Sequence, residues 1–365
     1  MRAMVLDKTR RVGKQTEALR WVEVPEPVPG QYAIRIRVSV CAVCRTDLDE
    51  IEGRAQPPRF PVIPGHQVVG VVDALGPDTG LFRVGDRVGV AWIHYACGRC
   101  QFCKRGLENL CSLFVGTGRD VDGGYAEFIV VPEIFAHAIP AEFTDAQAAP
   151  LLCAGAIGYR ALRMCGLRDG QGLGLMGFGA SAHLVLQMAR HVLPKSRVYV
   201  FARSRVQRTF ARQLGAYWVG GIDQLPRRNV EGFIDTTPAW RPLLRALACL
   251  RPGCRLVINA IHKDDRDREA LSEIDYAVHL WREKEIKSVA NVTRADVREF
   301  LELAARANIR PEFEEYALQD ANRAIRELKA GKSRGAKVLR VSGEKAQGKI
   351  VPIRRKTKST DFRSR

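Results

Sequence analysis

The stretch Gly172-Leu173-Gly174-Leu175-Met176-Gly177-Phe178-Gly179-Ala180-Ser181-Ala182-His183-Leu184-Val185-Leu186-Gln187 decides the fold. Gly172–Met176 is a short apolar strand, Gly177–Ala182 a glycine-rich turn, and Ser181 to about Val192 a helix. Glycines at such a turn let the backbone bend sharply. Its N–H groups can then approach a pyrophosphate at the helix N-terminus. Ala182 stands where a third glycine is usual, a replacement that the pattern allows. Gly177, Gly179 and Ala182 are therefore candidate dinucleotide contacts.

The same alternation continues downstream. Arg197–Phe201, Gly232–Asp235 and Arg255–Ala260 read as strands, with a helix over Arg205–Leu214. Strands alternating with helices argue for a parallel, doubly wound sheet and an α/β fold class. An NAD site normally places an acidic residue at the end of the second strand, to bind the ribose 2′-hydroxyl. Here that position is about Ala202, followed by Arg203, Ser204 and Arg205. Two guanidiniums there favour a 2′-phosphate, so NADP is expected ahead of NAD. The plainer alternative is that both arginines are solvated at the start of the next helix.

Upstream, residues 1–150 are β-rich, with strands expected at Ala33–Val40, Val68–Ala74 and Arg87–Ala91 and Pro or Gly between them. They suggest a small barrel whose loops carry the chemistry. Beyond the parallel region, helices are expected at Ala295–Ala307 and Ala321–Lys329, and a last strand at Lys337–Val341.

Bulk properties set limits. A chain of 365 residues, 46% hydrophobic, can bury a sizeable core and suggests two domains. No apolar leader and no run of about 18 apolar residues is visible, so a cytoplasmic location without a membrane span is expected. Ten cysteines then call for a role other than disulfides. The net charge of +18 is uneven, because residues 342–365 hold eight Lys or Arg against two acids. A solvated basic tail explains this more simply than nucleic-acid binding, which is not expected; an anionic partner is the alternative.

Cys97, Cys100, Cys103 and Cys111 place four thiols within 15 residues. Four thiolates on a loop suit a closed tetrahedral zinc site of structural type. Free buried thiols and an iron–sulfur cluster are the alternatives. Other potential ligands are dispersed: Cys44 in Cys44-Arg45-Thr46-Asp47, His66 in Gly65-His66-Gln67, and Cys153 in Cys153-Ala154-Gly155. Spacing alone does not join them. Cys41 and Cys44 also form a Cys-x-x-Cys, for which a redox pair is the weaker reading.

These segments, with the four-cysteine lobe, Val84-Gly85-Asp86-Arg87-Val88 and Asp122-Gly123-Gly124-Tyr125-Ala126-Glu127, resemble the zinc-dependent medium-chain alcohol dehydrogenases over about residues 1–341. The resemblance implies a GroES-like β-barrel catalytic domain (1–153 and 293–341), a Rossmann cofactor-binding domain (154–292) and a basic tail (342–365). It implies two zinc ions per chain, one structural and one catalytic, the latter held by Cys44, His66 and Cys153. Two thiolates and a neutral imidazole leave such a zinc site neutral, and the ion acidifies an alcohol. Asp47 would fix the His66 tautomer, and Thr46 would hold the alcohol oxygen. Arg45 would face the cofactor pyrophosphate, with Arg334 a weaker candidate. Trp92 would narrow the substrate pocket. A homodimer or homotetramer is expected.

The implied function is hydride transfer between a small alcohol, or its aldehyde or ketone, and NAD(P). The alternative is a non-catalytic, zinc-stabilised binding protein. Two departures stand out. Gln67 replaces the carboxylate that usually follows the ligand histidine. Asp49 stands near a usual proton-relaying histidine, and a carboxylate can also accept that proton, from a lower reference pKa.

Overall fold

The computed structural model describes residues 1–224, 226, 229–331 and 335–342. Arg334 and tail residues 343–365 lie outside the described residues. Among the described residues, no helix is long and apolar enough to cross a membrane.

The first half supplies β1 (Arg2–Val5), β2 (Arg20–Glu23), β3 (Ala33–Val43), β4 (Gln67–Leu75), β5 (Arg87–Val90), β6 (Ile93–Tyr95), β7 (Val115–Gly116), β8 (Phe128–Pro132) and β9 (Ala136–Ala138). The middle supplies β10 (Leu173–Met176), β11 (Val198–Phe201), β12 (Trp218–Gly220), β13 (Val230–Asp235), β14 (Leu250–Ile258) and β15 (Glu285–Ser288). β16 (Phe313–Ala317) and β17 (Ala336–Arg340) return to the first sheet.

That first sheet has seven strands, in the order β16-β17-β3-β4-β5-β9, with β8 also on β3. β3 is long, and its pairing with β4 shifts register at Arg35/Ile36 and again at Val38/Val40. Bulges of this kind bend a strand and increase its twist. The first part of β3 therefore carries β8 and its last part carries β17, along the same edge. This curl produces the barrel-like lobe expected from the sequence.

The second sheet has six parallel strands, in the order β12-β11-β10-β13-β14-β15. Chain order therefore reverses between β10 and β13, and a crevice opens at the carboxyl ends of the strands at such a switch point. β10 is buried at every residue, as a central parallel strand should be. Helix Ala182–Val192 runs from its end, one residue later than expected because Ser181 is the cap.

One buried core crosses between the sheets, joining Val40, Val69 and Leu152 to Leu175, Leu184 and Ile234. Each fully buried side chain of this size contributes about 1.5–3 kcal/mol. A polar clamp adds to it. His183 Nδ1 meets the Gly179 carbonyl at 3.0 Å, and the backbone N–H of Glu312 reaches His183 Nε2 at 3.2 Å. One turn on, Gln187 exchanges two hydrogen bonds with the backbone of Arg310. The helix that follows the glycine turn is thus tied to the segment leading into β16. Burial lowers the pKa of His183 to about 4, so this clamp is neutral at physiological pH.

Candidate active site

Three chain segments build the site. Helix Arg45–Ile51 begins at Cys44, an unusual cap residue. The Thr46 N–H points at Cys44 Sγ (3.3 Å), and the Cys44 N–H donates to Asp47 Oδ2 (2.7 Å). The other Asp47 oxygen, Oδ1, faces His66 Nδ1 at 3.1 Å. His66 sits just before β4 and is fully buried. The run Leu151–Gly155 winds as a π-helical turn just after Pro150 and carries Cys153. Such turns are rare and often mark functional positions.

The result is a convergence. Cys44 Sγ lies 3.2 Å from His66 Nε2, and the donor atoms of Cys44, His66 and Cys153 all fall within 4.8 Å of one another. Tetrahedral zinc with thiolate ligands separates donor atoms by about 3.8 Å, so the triad fits such an ion and leaves its fourth position open. The hydrogen bond with Cys153, then burial, pushes the Cys44 thiol well above its ordinary range. Burial lowers the basicity of His66, but the Cys44 and Asp47 charges outweigh it and lift the imidazole well up. Groups so perturbed are those whose electrostatics a bound cation would reverse.

Around the triad, the Trp92 ring lies 6.2 Å from that of His66 and edge-on to Phe114. Gln67 is buried, with its Nε2 unpartnered among the described residues. Asp49 is buried and held by Arg54 (2.6 Å) and Arg45 (3.4 Å). Burial outweighs these two guanidiniums and raises its pKa. Arg45 also approaches Asp264, just beyond β14, at 3.6 Å. It thereby joins the first lobe to the loops at the carboxyl ends of the parallel strands.

A second cluster brings together Cys97, Cys100, Cys103 and Cys111, again with donors within 4.8 Å. Cys97 and Cys103 stand 3.9 Å apart, and backbone N–H groups of Cys100 and Leu113 point at the sulfurs of Cys97 and Cys111. The lobe is anchored by Glu108 to Arg294 (2.7 Å) and by Asn109 to the Ala290 carbonyl. All ten cysteines are free, and Cys41 is buried within β3 rather than exposed beside Cys44.

At the glycine turn, Gly177 has φ 85°, and a Cβ there would meet Thr236 Oγ1 at 2.7 Å. Gly179 faces open space instead, as a phosphate cradle requires. Ala182 is buried at the helix start. Ala202 follows β11 with no acid near it in sequence, and Arg203 and Arg205 are exposed. The Arg208 guanidinium donates to the carbonyls of Ala202 (2.9 Å) and Arg203 (2.7 Å), which stiffens the loop.

His94 lies half-buried in β6, and burial lowers its pKa to about 4. Cys165 and Cys249 are buried, and Cys254 is half-buried. Sequence reasoning passed over Glu50 and the role of His183 and Gln187. The last pair had a signal, two polar residues four apart on an apolar helix.

The alcohol dehydrogenase GroES-like domain matches residues 30–141. The probable alcohol dehydrogenase AdhA of Mycobacterium tuberculosis is 42% identical over 321 residues, covering 87% of this chain and 90% of that protein. The chain belongs to the medium-chain alcohol dehydrogenase family. An alcohol dehydrogenase of Geobacillus stearothermophilus is 30% identical over 343 residues, 92% of this chain and 99% of its own. Among solved structures, the cinnamyl alcohol dehydrogenase SbCAD4 of Sorghum bicolor superposes with a TM-score of 0.80 at 25% identity, covering 96% of this chain and 99% of that one. This member of the family is thus an oxidoreductase acting on alcohols.

Proposed function

We propose that this chain is a zinc-dependent dehydrogenase that moves a hydride between a small alcohol, or its aldehyde or ketone, and a nicotinamide cofactor, with NADP preferred to NAD. The observation that carries the reading is the convergence of Cys44, His66 and Cys153 from three separate segments. Zinc bound there would act as a Lewis acid on the substrate oxygen. The four-thiol lobe would hold a second, structural zinc. We assign 1–153 and 293–341 to the catalytic domain and 154–292 to the cofactor domain. The non-catalytic binding-protein reading has no observation in its favour.

The chain's own residues divide the remaining work. Asp47 accepts from His66 Nδ1 and fixes the ring so that Nε2 faces the site. Thr46 Oγ1 accepts the alcohol proton while passing its own outward, and Asp49, whose basicity burial raises, is its acceptor on the way to solvent. Arg45 leaves Asp264 to meet the cofactor pyrophosphate, beside the backbone of Gly177–Ala182. Trp92 bounds the pocket and limits the size of the alcohol.

Arg203 and Arg205 would bind a 2′-phosphate. A hydrogen bond to a charged group contributes about 1.5–3 kcal/mol, so kcat/KM with NADPH is expected to exceed that with NADH by about 10-fold or more. The double substitution Arg203→Ala, Arg205→Ala should erase the difference. Steady-state kinetics with both cofactors decides this, and a strong NADH preference of the wild type would sink the assignment.

We also infer a homodimer as the basic assembly, which a tetramer would double. β15 is an edge strand of the parallel sheet, exposed along its length, with Ile286 on it and Tyr276, Val278 and Trp281 exposed nearby. An unpaired edge beside apolar residues is a natural pairing surface. The variant Trp281→Glu, Ile286→Glu should elute as a monomer where the wild type is a dimer. Light scattering showing a monomeric wild type would refute the interface.

A further inference from the structure

A carboxylate beside the triad has no part in the function proposed so far. Glu50 lies in helix Arg45–Ile51 and is fully buried, and neither of its oxygens has a hydrogen-bond partner among the described residues. Buried carboxylates are ordinarily paired, because an ionised group removed from water is strongly destabilised without a partner. Asp47 Oδ1 and His66 Nδ1 are buried facing each other at 3.1 Å, and ligand atoms of Asp47, Glu50 and His66 lie within 4.8 Å of one another. Burial pushes the Glu50 carboxyl well above its ordinary range, and Arg119 offsets this only slightly, through space. Two unpartnered carboxylate oxygens beside Asp47 and the triad's imidazole leave the cluster short of positive charge.

We propose that Glu50 is a second outer carboxylate of the metal centre, flanking the His66 imidazole with Asp47 and helping to retain a divalent ion in the Cys44–His66–Cys153 triad. The proposal rests on the catalytic metal reading given above. Two thiolates bring a divalent ion to zero net charge. The carboxylates of Asp47 and Glu50 then add attraction through a low-dielectric interior, where a charge a few ångströms away is poorly screened. Gln67, the residue after His66, is neutral and cannot provide this charge. Glu50 touches no substrate or reacting atom in this scheme; it is a positioning residue acting through His66.

The test is metal retention. Wild type and Glu50→Gln, which keeps the shape and removes the charge, are loaded with zinc, and release to a chromogenic chelator is followed with time. Loss of an outer partner typically weakens metal affinity about 10–100-fold. Glu50→Gln is therefore expected to release one metal equivalent faster by about that factor, with the other equivalent, held by Cys97, Cys100, Cys103 and Cys111, unchanged. Cobalt in place of zinc should show shifted visible bands. If Glu50→Gln does not fold, Glu50→Asp, which draws the charge back, is expected to release the same equivalent at a rate above wild type. Release and cobalt bands identical to wild type in whichever variant folds overturn the role of Glu50 alone. A wild type that binds only one metal overturns both this role and the catalytic metal reading.

Discussion

Replacing His66 with alanine is expected to remove one of two zinc equivalents and to lower kcat/KM for alcohol oxidation by about 1,000-fold or more. The reason lies in how the site is built. His66 is fully buried and supplies the triad's nitrogen, 3.2 Å from Cys44 Sγ. Two thiolates alone do not make a three-ligand site with one exchangeable position. A Lewis acid contributes several kcal/mol to such a reaction, and each 1.36 kcal/mol is a factor of ten in rate. The substitution also strips Asp47 of the ring it faces, but Asp47 Oδ2 still caps the helix through the Cys44 N–H. The helix should therefore survive, and cofactor binding by the glycine turn should change little. Metal content, dinucleotide Kd and kcat/KM measured on one preparation separate these effects. Retained turnover with a single remaining metal would contradict the triad.

The second large effect concerns the four-thiol lobe. Cys111→Ser is expected to remove the other zinc and to lower the melting temperature by about 10 °C or more. Cys111 is buried, and the backbone N–H groups of Cys97 and Leu113 point at its sulfur. Without an ion, four thiols packed within 4.8 Å have no net attraction to hold the loop. The loop also carries Glu108 and Asn109, whose bonds to Arg294 and Ala290 brace the start of helix Arg294–Arg306. Destabilisation should therefore spread beyond the lobe. Calorimetry of wild type and variant checks this, and an unchanged melting temperature would mean that no metal contributes there.

These two sites differed in how far the sequence revealed them. The four-thiol lobe was legible because its ligands are local: short spacings on one loop restrict the chemistry by themselves. Cys44, His66 and Cys153 are distant in sequence, and only family resemblance joined them before the fold did so in space. The parallel sheet was legible around β10 because a buried central strand must be apolar. β15 was not, since Glu285-Ile286-Lys287-Ser288 is an exposed edge and carries no such signal. β12 and β16 were missed as well; both are outermost strands of their sheets. The π-turn at Leu151–Gly155 reads as an ordinary apolar run. Glu50 was hidden for a related reason: charged residues in a short helix normally face water, and only tertiary packing turns this one inward.

The measurement closest to the central claim is zinc content per chain of the wild-type protein, taken together with turnover on a panel of small alcohols and aldehydes with NADPH and NADH. Two zinc ions per chain and NADPH-linked aldehyde reduction are the expected result. One zinc per chain with no turnover on any member of the panel would contradict it.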